Sequence, residues 1–100
     1  MIRHVVMWKF KEIGEGKTKE ENLDIVKDKL LALLPIIPEL KKMEIEKDVS
    51  HTDMSYDLIL ITEFENLDDL HTYAVHPEHQ KVAAYVGKVV ESRVVLDCEI

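Results

Sequence analysis

The sequence predicts an α+β fold, a single ferredoxin-like β-α-β-β-α-β domain over residues 1–100, with a four-stranded antiparallel sheet and both helical segments on one face. Three observations carry this expectation. Four segments alternate apolar and polar side chains with the period of a strand. Two stretches between them repeat apolar residues at helical spacing. The breaks carry prolines, paired glycines or a polar turn. Right-handed crossovers then place the helical segments on the same side of the sheet.

Residues 2 to 11 form the first strand. Ile2, His4, Val6, Trp8 and Phe10 share one face, and Arg3, Val5, Met7, Lys9 and Lys11 share the other. Both faces are partly apolar, so the strand is expected to be covered on both sides. "EIGEGK" punctuates the chain with two glycines. Thr18 then opens "TKEE" with Glu21 three residues on, the pattern of a capping box. Leu23, Val26, Leu30, Leu33, Leu34 and Ile37 follow at helical spacing, and Pro35 and Pro38 are expected to end that helix.

Residues 43 to 49 alternate Met43, Ile45, Lys47 and Val49 with Glu44, Glu46 and Asp48, a half-exposed strand. "SHTDMS" is a polar turn that leaves His51 solvated. Residues 56 to 65 form a strand with an apolar middle, Tyr56, Leu58, Leu60, Thr62 and Phe64 opposing Ile59 and Ile61. Asn66 caps a short helix through Leu67, Leu70 and Ala74, and Pro77 restarts a helix carrying Val82, Ala83, Val86 and Val89. "SRVVLDCEI" closes the sheet, with Val94, Leu96, Cys98 and Ile100 opposing Arg93, Val95, Asp97 and Glu99.

The helices cover one sheet face, yet Val5, Met7, Ile59, Ile61 and Val95 are expected on the other. A bare apolar sheet face needs a partner. A second copy packed sheet to sheet gives a two-fold homodimer, a dimeric α/β barrel. Composition narrows the other partners. Of 100 residues, 46% are hydrophobic and 33% charged, which describes a globular chain. Thirteen basic and twenty acidic residues leave a net charge of −7. No basic face is available for nucleic acid or an anionic membrane. The single cysteine, Cys98, allows no disulfide within the chain and fits a cytoplasmic location. It has no basic neighbour to activate it and reads as a packed thiol. No stretch resembles a signal peptide or a membrane span.

The segment "YAVHPEHQKV", residues 73 to 82, concentrates the chemistry. Pro77 suits the first position of a helix, which puts His76 at the N-cap, a structural role. His79 then lies in the first turn, where the helix dipole disfavours imidazolium. Neutral imidazole is what a general base requires. Tyr73, six residues upstream, supplies a hydroxyl; the other reading of His79 is a surface histidine beside Glu78. His4 sits mid-strand on the face of Val6 and Trp8, a core histidine in need of a hydrogen-bond partner. His71, His76 and His79 cluster in sequence, but His71 and His79 fall on different helices and there is no His-Glu-x-x-His motif, so no metal is expected. No phosphate-binding glycine loop or nucleophile elbow is present.

The chain resembles the stress-responsive dimeric α/β-barrel (Dabb) family over nearly its whole length. The matching stretches are "IRHVVMWKFK", "LLPIIPELKKMEIEKDVS", "YDLILITEFENLDDLHTYAVHPEHQKV" and "SRVVLDCEI", in that order. The resemblance implies a ferredoxin-like subunit and a homodimer formed through the sheets. The family includes a polyketide cyclase, olivetolic acid cyclase. Its acid/base pair corresponds to His79 and Tyr73, and the strand-one histidine of its cavity corresponds to His4. Glu78 stands where that cyclase has a small residue, which places a charge near the cavity mouth. Two functions fit this pattern. One is a cofactor-free enzyme acting on a small aromatic or keto compound by cyclase, isomerase or lyase-like chemistry, or as a monooxygenase of the same architecture. Its pocket would be lined by His4, Trp8, Leu60, Tyr73, His79 and Val82. The other is a non-catalytic, stress-associated dimeric module.

Overall fold

A computed structural model describes residues 1–100. Strand β1 (Ile2–Phe10) is followed by two two-residue strands, β2 (Ile13–Gly14) and β3 (Lys17–Thr18). Helix α1 (Lys19–Leu31), β4 (Lys42–Lys47) and β5 (Leu58–Phe64) come next. Helices α2 (Leu67–Val75) and α3 (Pro77–Val89) then lead into β6 (Val90–Glu99). The main sheet runs β4-β5-β1-β6 with every pair antiparallel, which is the ferredoxin-like arrangement. No helix is long and apolar enough to cross a membrane.

Local chemistry sets the helix boundaries. The Thr18 side chain accepts from the Glu21 N–H at 3.3 Å, and Glu21 accepts from the Thr18 N–H at 3.1 Å, so the capping box forms. The helix ends at Leu31, short of the Ile37 expected from apolar spacing. Pro35 has no N–H to donate to the Leu31 carbonyl, so the α-helical ladder cannot continue through it. The chain answers upstream by tightening into i→i−3 bonds, Leu33 to Leu30 at 3.0 Å and Leu34 to Leu31 at 3.2 Å. Leu33 and Ile37 are still buried, from a turn rather than a helix.

The β2–β3 hairpin has no counterpart in the sequence expectation. Glu15 and Gly16 both have positive φ, 50° and 74°, as a tight two-residue turn requires. The hairpin is pinned to both long helices through buried Asn22. Asn22 donates to the Gly14 carbonyl at 3.0 Å and accepts from the Tyr85 hydroxyl at 2.6 Å. A Cβ on Gly14 would stand 3.1 Å from Val89, so the residue's small size permits that approach.

The core lies between the sheet and the helices. Val6, Trp8, Phe10, Leu58, Leu60 and Phe64 meet Val26 and Leu30 of α1 and Val82, Val86 and Val89 of α3. Each such side chain contributes about 1.5–3 kcal/mol by burial. Register decides what the opposite face presents. Val5 stands opposite Ile61 and Leu96, and Met7 opposite Ile59 and Val94. Residues directly opposite across an antiparallel pair point to the same side. Val95 stands opposite Val6 and therefore lies on the helix side, not on the outer face where it was expected. Val94 and Leu96 take that place, and Leu96 is 64% exposed.

Candidate active site

The α2–α3 junction is a helix break built from its sequence. Asn66 caps α2 by accepting from the Asp69 N–H at 2.8 Å. His76, held extended by the following proline, accepts the Glu78 N–H on its Nδ1 at 3.1 Å and caps α3. His76 is thus a cap, and its Nδ1 is occupied. One turn on, the His79 Nδ1–H donates to the Ala74 carbonyl at 3.0 Å, across the break. A carbonyl can only accept, so the neutral ring carries its proton on Nδ1 and keeps a lone pair on Nε2. The Tyr73 ring lies between two partners: His79 at 4.4 Å and Phe64 at 5.1 Å between centroids.

The sheet supplies the facing groups. The His4 Nδ1–H donates to Asp97 at 2.5 Å across the β1–β6 pair, the partner that a histidine on this face needed. Arg93 stands opposite Trp8 on the same side of the sheet. Asp97 and Arg93 were not singled out from sequence. Their signal is the topology: β1 and β6 must pair, so every second residue of β6 shares the face of His4.

These side chains enclose a cavity of about 250 Å³ under α3. His4, Trp8, Leu60, Tyr73, His79 and Val82 all line it, joined by Val6, Leu30, Val86 and Arg93. A second hollow of about 320 Å³ lies against α2, bordered by His71, Leu67 and Leu70. His4, Tyr73, His79 and Arg93 border both. Glu78 borders neither; it pairs with Lys81 at 3.0 Å, so the expected charge at the cavity mouth is directed to the surface. His51 lies in the exposed turn, and Cys98 stands opposite Arg3 on the outer sheet face. No three His, Cys, Asp or Glu side chains gather as a metal-ligand set.

The electrostatics of the cavity are distinctive. Burial lowers the pKa of His79 below the ordinary imidazole value; the Ala74 carbonyl opposes this in part, and His4, Arg93 and His76 add to the lowering. Burial pushes the Tyr73 phenol up to about 12, against the pull of Arg93. Neutral imidazole and neutral phenol therefore face each other at pH 7. Tyr73 is 1% exposed and Trp8 4% exposed, and neither the Tyr73 hydroxyl nor the Trp8 Nε1–H has a hydrogen-bond partner in the protein. Buried donors of this kind are rare in folded proteins, and each costs free energy.

The family model for the Stress responsive A/B Barrel Domain (Dabb) matches residues 2–100. Solved structures share the fold. A dimeric protein of unknown function and ferredoxin-like fold from Bacteroides fragilis is 28% identical, with a TM-score of 0.84 over 99% of this chain and 95% of that one. A dimeric ferredoxin-like protein from Thermobifida fusca is 23% identical, with a TM-score of 0.83 over 99% and 90%. The hydroxynitrile lyase from Passiflora edulis is 19% identical, with a TM-score of 0.83 over 99% and 92%. No curated protein matches the sequence.

Proposed function

The chain belongs to the stress-responsive A/B barrel (Dabb) family, and from that premise we propose a homodimer that binds a small aromatic or keto compound under α2 and α3 and performs cofactor-free acid/base chemistry on it. The dimer joins the outer sheet faces, where Val5, Met7, Ile59, Ile61 and Leu96 form an apolar stripe. The dimeric proteins from Bacteroides fragilis and Thermobifida fusca support this. One protein of the same fold is a hydroxynitrile lyase, but at 19% identity it speaks for the fold alone. The reaction class is therefore assigned from this chain's own residues.

The observation that carries the proposal is the pairing of an anchored, unprotonated His79 Nε2 with a buried Tyr73 hydroxyl that has no acceptor of its own. His79 takes a proton from the carbon next to a carbonyl. The electron pair of that C–H bond moves into the carbonyl, giving an enolate. Tyr73 keeps its proton and donates a hydrogen bond to the enolate oxygen, stabilising charge where it develops. Return of the proton from His79 to the same or another carbon completes an exchange or an isomerisation.

The test is solvent deuterium exchange at the acidic carbon of phenylacetone, followed by NMR. The wild-type protein is expected to accelerate exchange. His79→Gln should lower the rate by about 10²–10⁴, and Tyr73→Phe by about 10²–10³. Equal rates in the wild type and both variants would leave a binding module without catalysis.

A further inference from the structure

The cavity has a surplus of hydrogen-bond donors and a single fixed positive charge. Trp8 Nε1–H and the Tyr73 hydroxyl are buried without acceptors. The carbonyl and carboxylate acceptors nearby are engaged: the Ala74 carbonyl takes the His79 Nδ1–H, and Asp97 takes the His4 Nδ1–H. Arg93 adds a guanidinium that forms no ion pair. The chain's other arginine, Arg3, is paired with Glu63 at 2.9 Å on the outer face. Against the unpartnered N–H and O–H donors and the guanidinium, the His79 Nε2 lone pair is the acceptor that the site keeps, and a ligand that brings an anion supplies the others.

The surroundings favour the same ligand. The chain carries a net charge of −7, and the other hollows of similar size are edged with carboxylates. Glu65, Asp68 and Glu99 edge the one beside Met1, and Glu12, Asp48 and Asp57 are among those edging the one below the β4–β5 turn. The two hollows that share His4, Tyr73, His79 and Arg93 have no Asp or Glu in their walls. The inner chamber is apolar, with Val6, Leu30, Leu60, Val82 and Val86, and about 250 Å³ holds an aromatic ring with a short chain. The polar residues form a collar between that chamber and the outer hollow, with Arg93 at its exposed side.

We propose that the site selects a small monoanionic amphiphile, whose aryl or alkyl part fills the inner chamber and whose carboxylate or acidic enol is held at the collar by Arg93. This rests on the cavity being a ligand site, as put forward under Proposed function. Arg93 is then a specificity-determining residue. A guanidinium meets a carboxylate through two parallel hydrogen bonds, which an amide of the same shape cannot match.

The test compares hydrocinnamate with hydrocinnamamide, two ligands of matched shape and different charge. Binding is read at pH 7 by calorimetry and by emission of Trp8, the chain's single tryptophan and part of the cavity wall. The wild-type protein is expected to bind the acid about tenfold or more tightly than the amide. Arg93→Gln should abolish that preference by weakening the acid more than the amide, and Arg93→Lys should retain part of it. Added salt should weaken the acid and spare the amide. Equal affinities in the wild type, or a preference that survives Arg93→Gln, would overturn the role of Arg93 and leave the cavity a ligand site. Binding of neither compound would remove the cavity as a ligand site, and the anion proposal with it.

Discussion

Tyr73→Phe removes one oxygen from the centre of the protein and leaves the ring in place between Phe64 and His79. In the folded chain that oxygen is sealed from solvent and makes no hydrogen bond; in the unfolded chain it is hydrated. Burying a hydroxyl without a partner costs about 1–3 kcal/mol. Part of this returns as lost dispersion contact and the small void left behind, so the variant should gain about 1 kcal/mol. For a domain of this size, that raises the melting temperature by about 4–8 °C. The assay is thermal and urea unfolding by circular dichroism at matched protomer concentration, because dimerisation makes the midpoint depend on concentration. The urea midpoint should rise with an unchanged slope. The same variant should lose most of the exchange activity, since the hydroxyl's acceptor is the reacting oxygen. Opposite signs in stability and activity mark a group kept for function. A fall of several degrees would refute the reasoning, because it would mean that the hydroxyl makes a bond that holds the fold together.

Three further outcomes follow from the same geometry. Burial holds His79 below its ordinary pKa near 6.5, so the unfolded chain takes up a proton where the folded one does not. That contribution to stability is present above about 6.5 and is lost as pH falls below it; urea unfolding at several pH values should show the decline, and His79→Gln should flatten it. An identical pH slope in the variant would show that His79 is not the group responsible. Asp97→Ala should release the His4 ring, changing its ¹⁵N tautomer signature, at a stability cost of about 1 kcal/mol or less because the carboxylate is partly exposed. A signature unchanged from wild type would mean that Asp97 does not orient His4. Leu96→Asp puts a charge on the outer face, and light scattering should show a species near 11.6 kDa where the wild type gives about twice that mass. A variant that stays dimeric would place the interface elsewhere.

The strands and helices were legible where local chemistry acts alone. Thr18 with Glu21, Asn66, and His76 before Pro77 each announced a helix start, and each caps one. The leucine stripe over-extended α1, because periodicity continues past the point where Pro35 ends the hydrogen-bond ladder. Ile13–Gly14 and Lys17–Thr18 gave no strand signal, since two-residue strands are too short to alternate. What the sequence hid was parity. Alternation in β6 separates Val94, Leu96 and Cys98 from Arg93, Val95 and Asp97, but only the register with β1 says which set faces the helices. That register moved Val95 inward and brought Asp97 to His4 across 93 positions of sequence. The cavity residues nearest to the helix break, Tyr73 and His79, were visible because one short segment carries both. Arg93 and Asp97 come from a strand whose role is set by its neighbour.

The proposed function places ligand in the chamber beneath α2 and α3, and not on the outer sheet face. A methyl-labelled NMR titration with phenylacetone tests it most directly. The methyls of Val6, Leu30, Leu60, Val82 and Val86 should shift together as the chamber fills, while those of Val5, Ile59, Ile61 and Leu96 stay in place. Shifts confined to the outer-face methyls, or no shifts at all at saturating ketone, would contradict it.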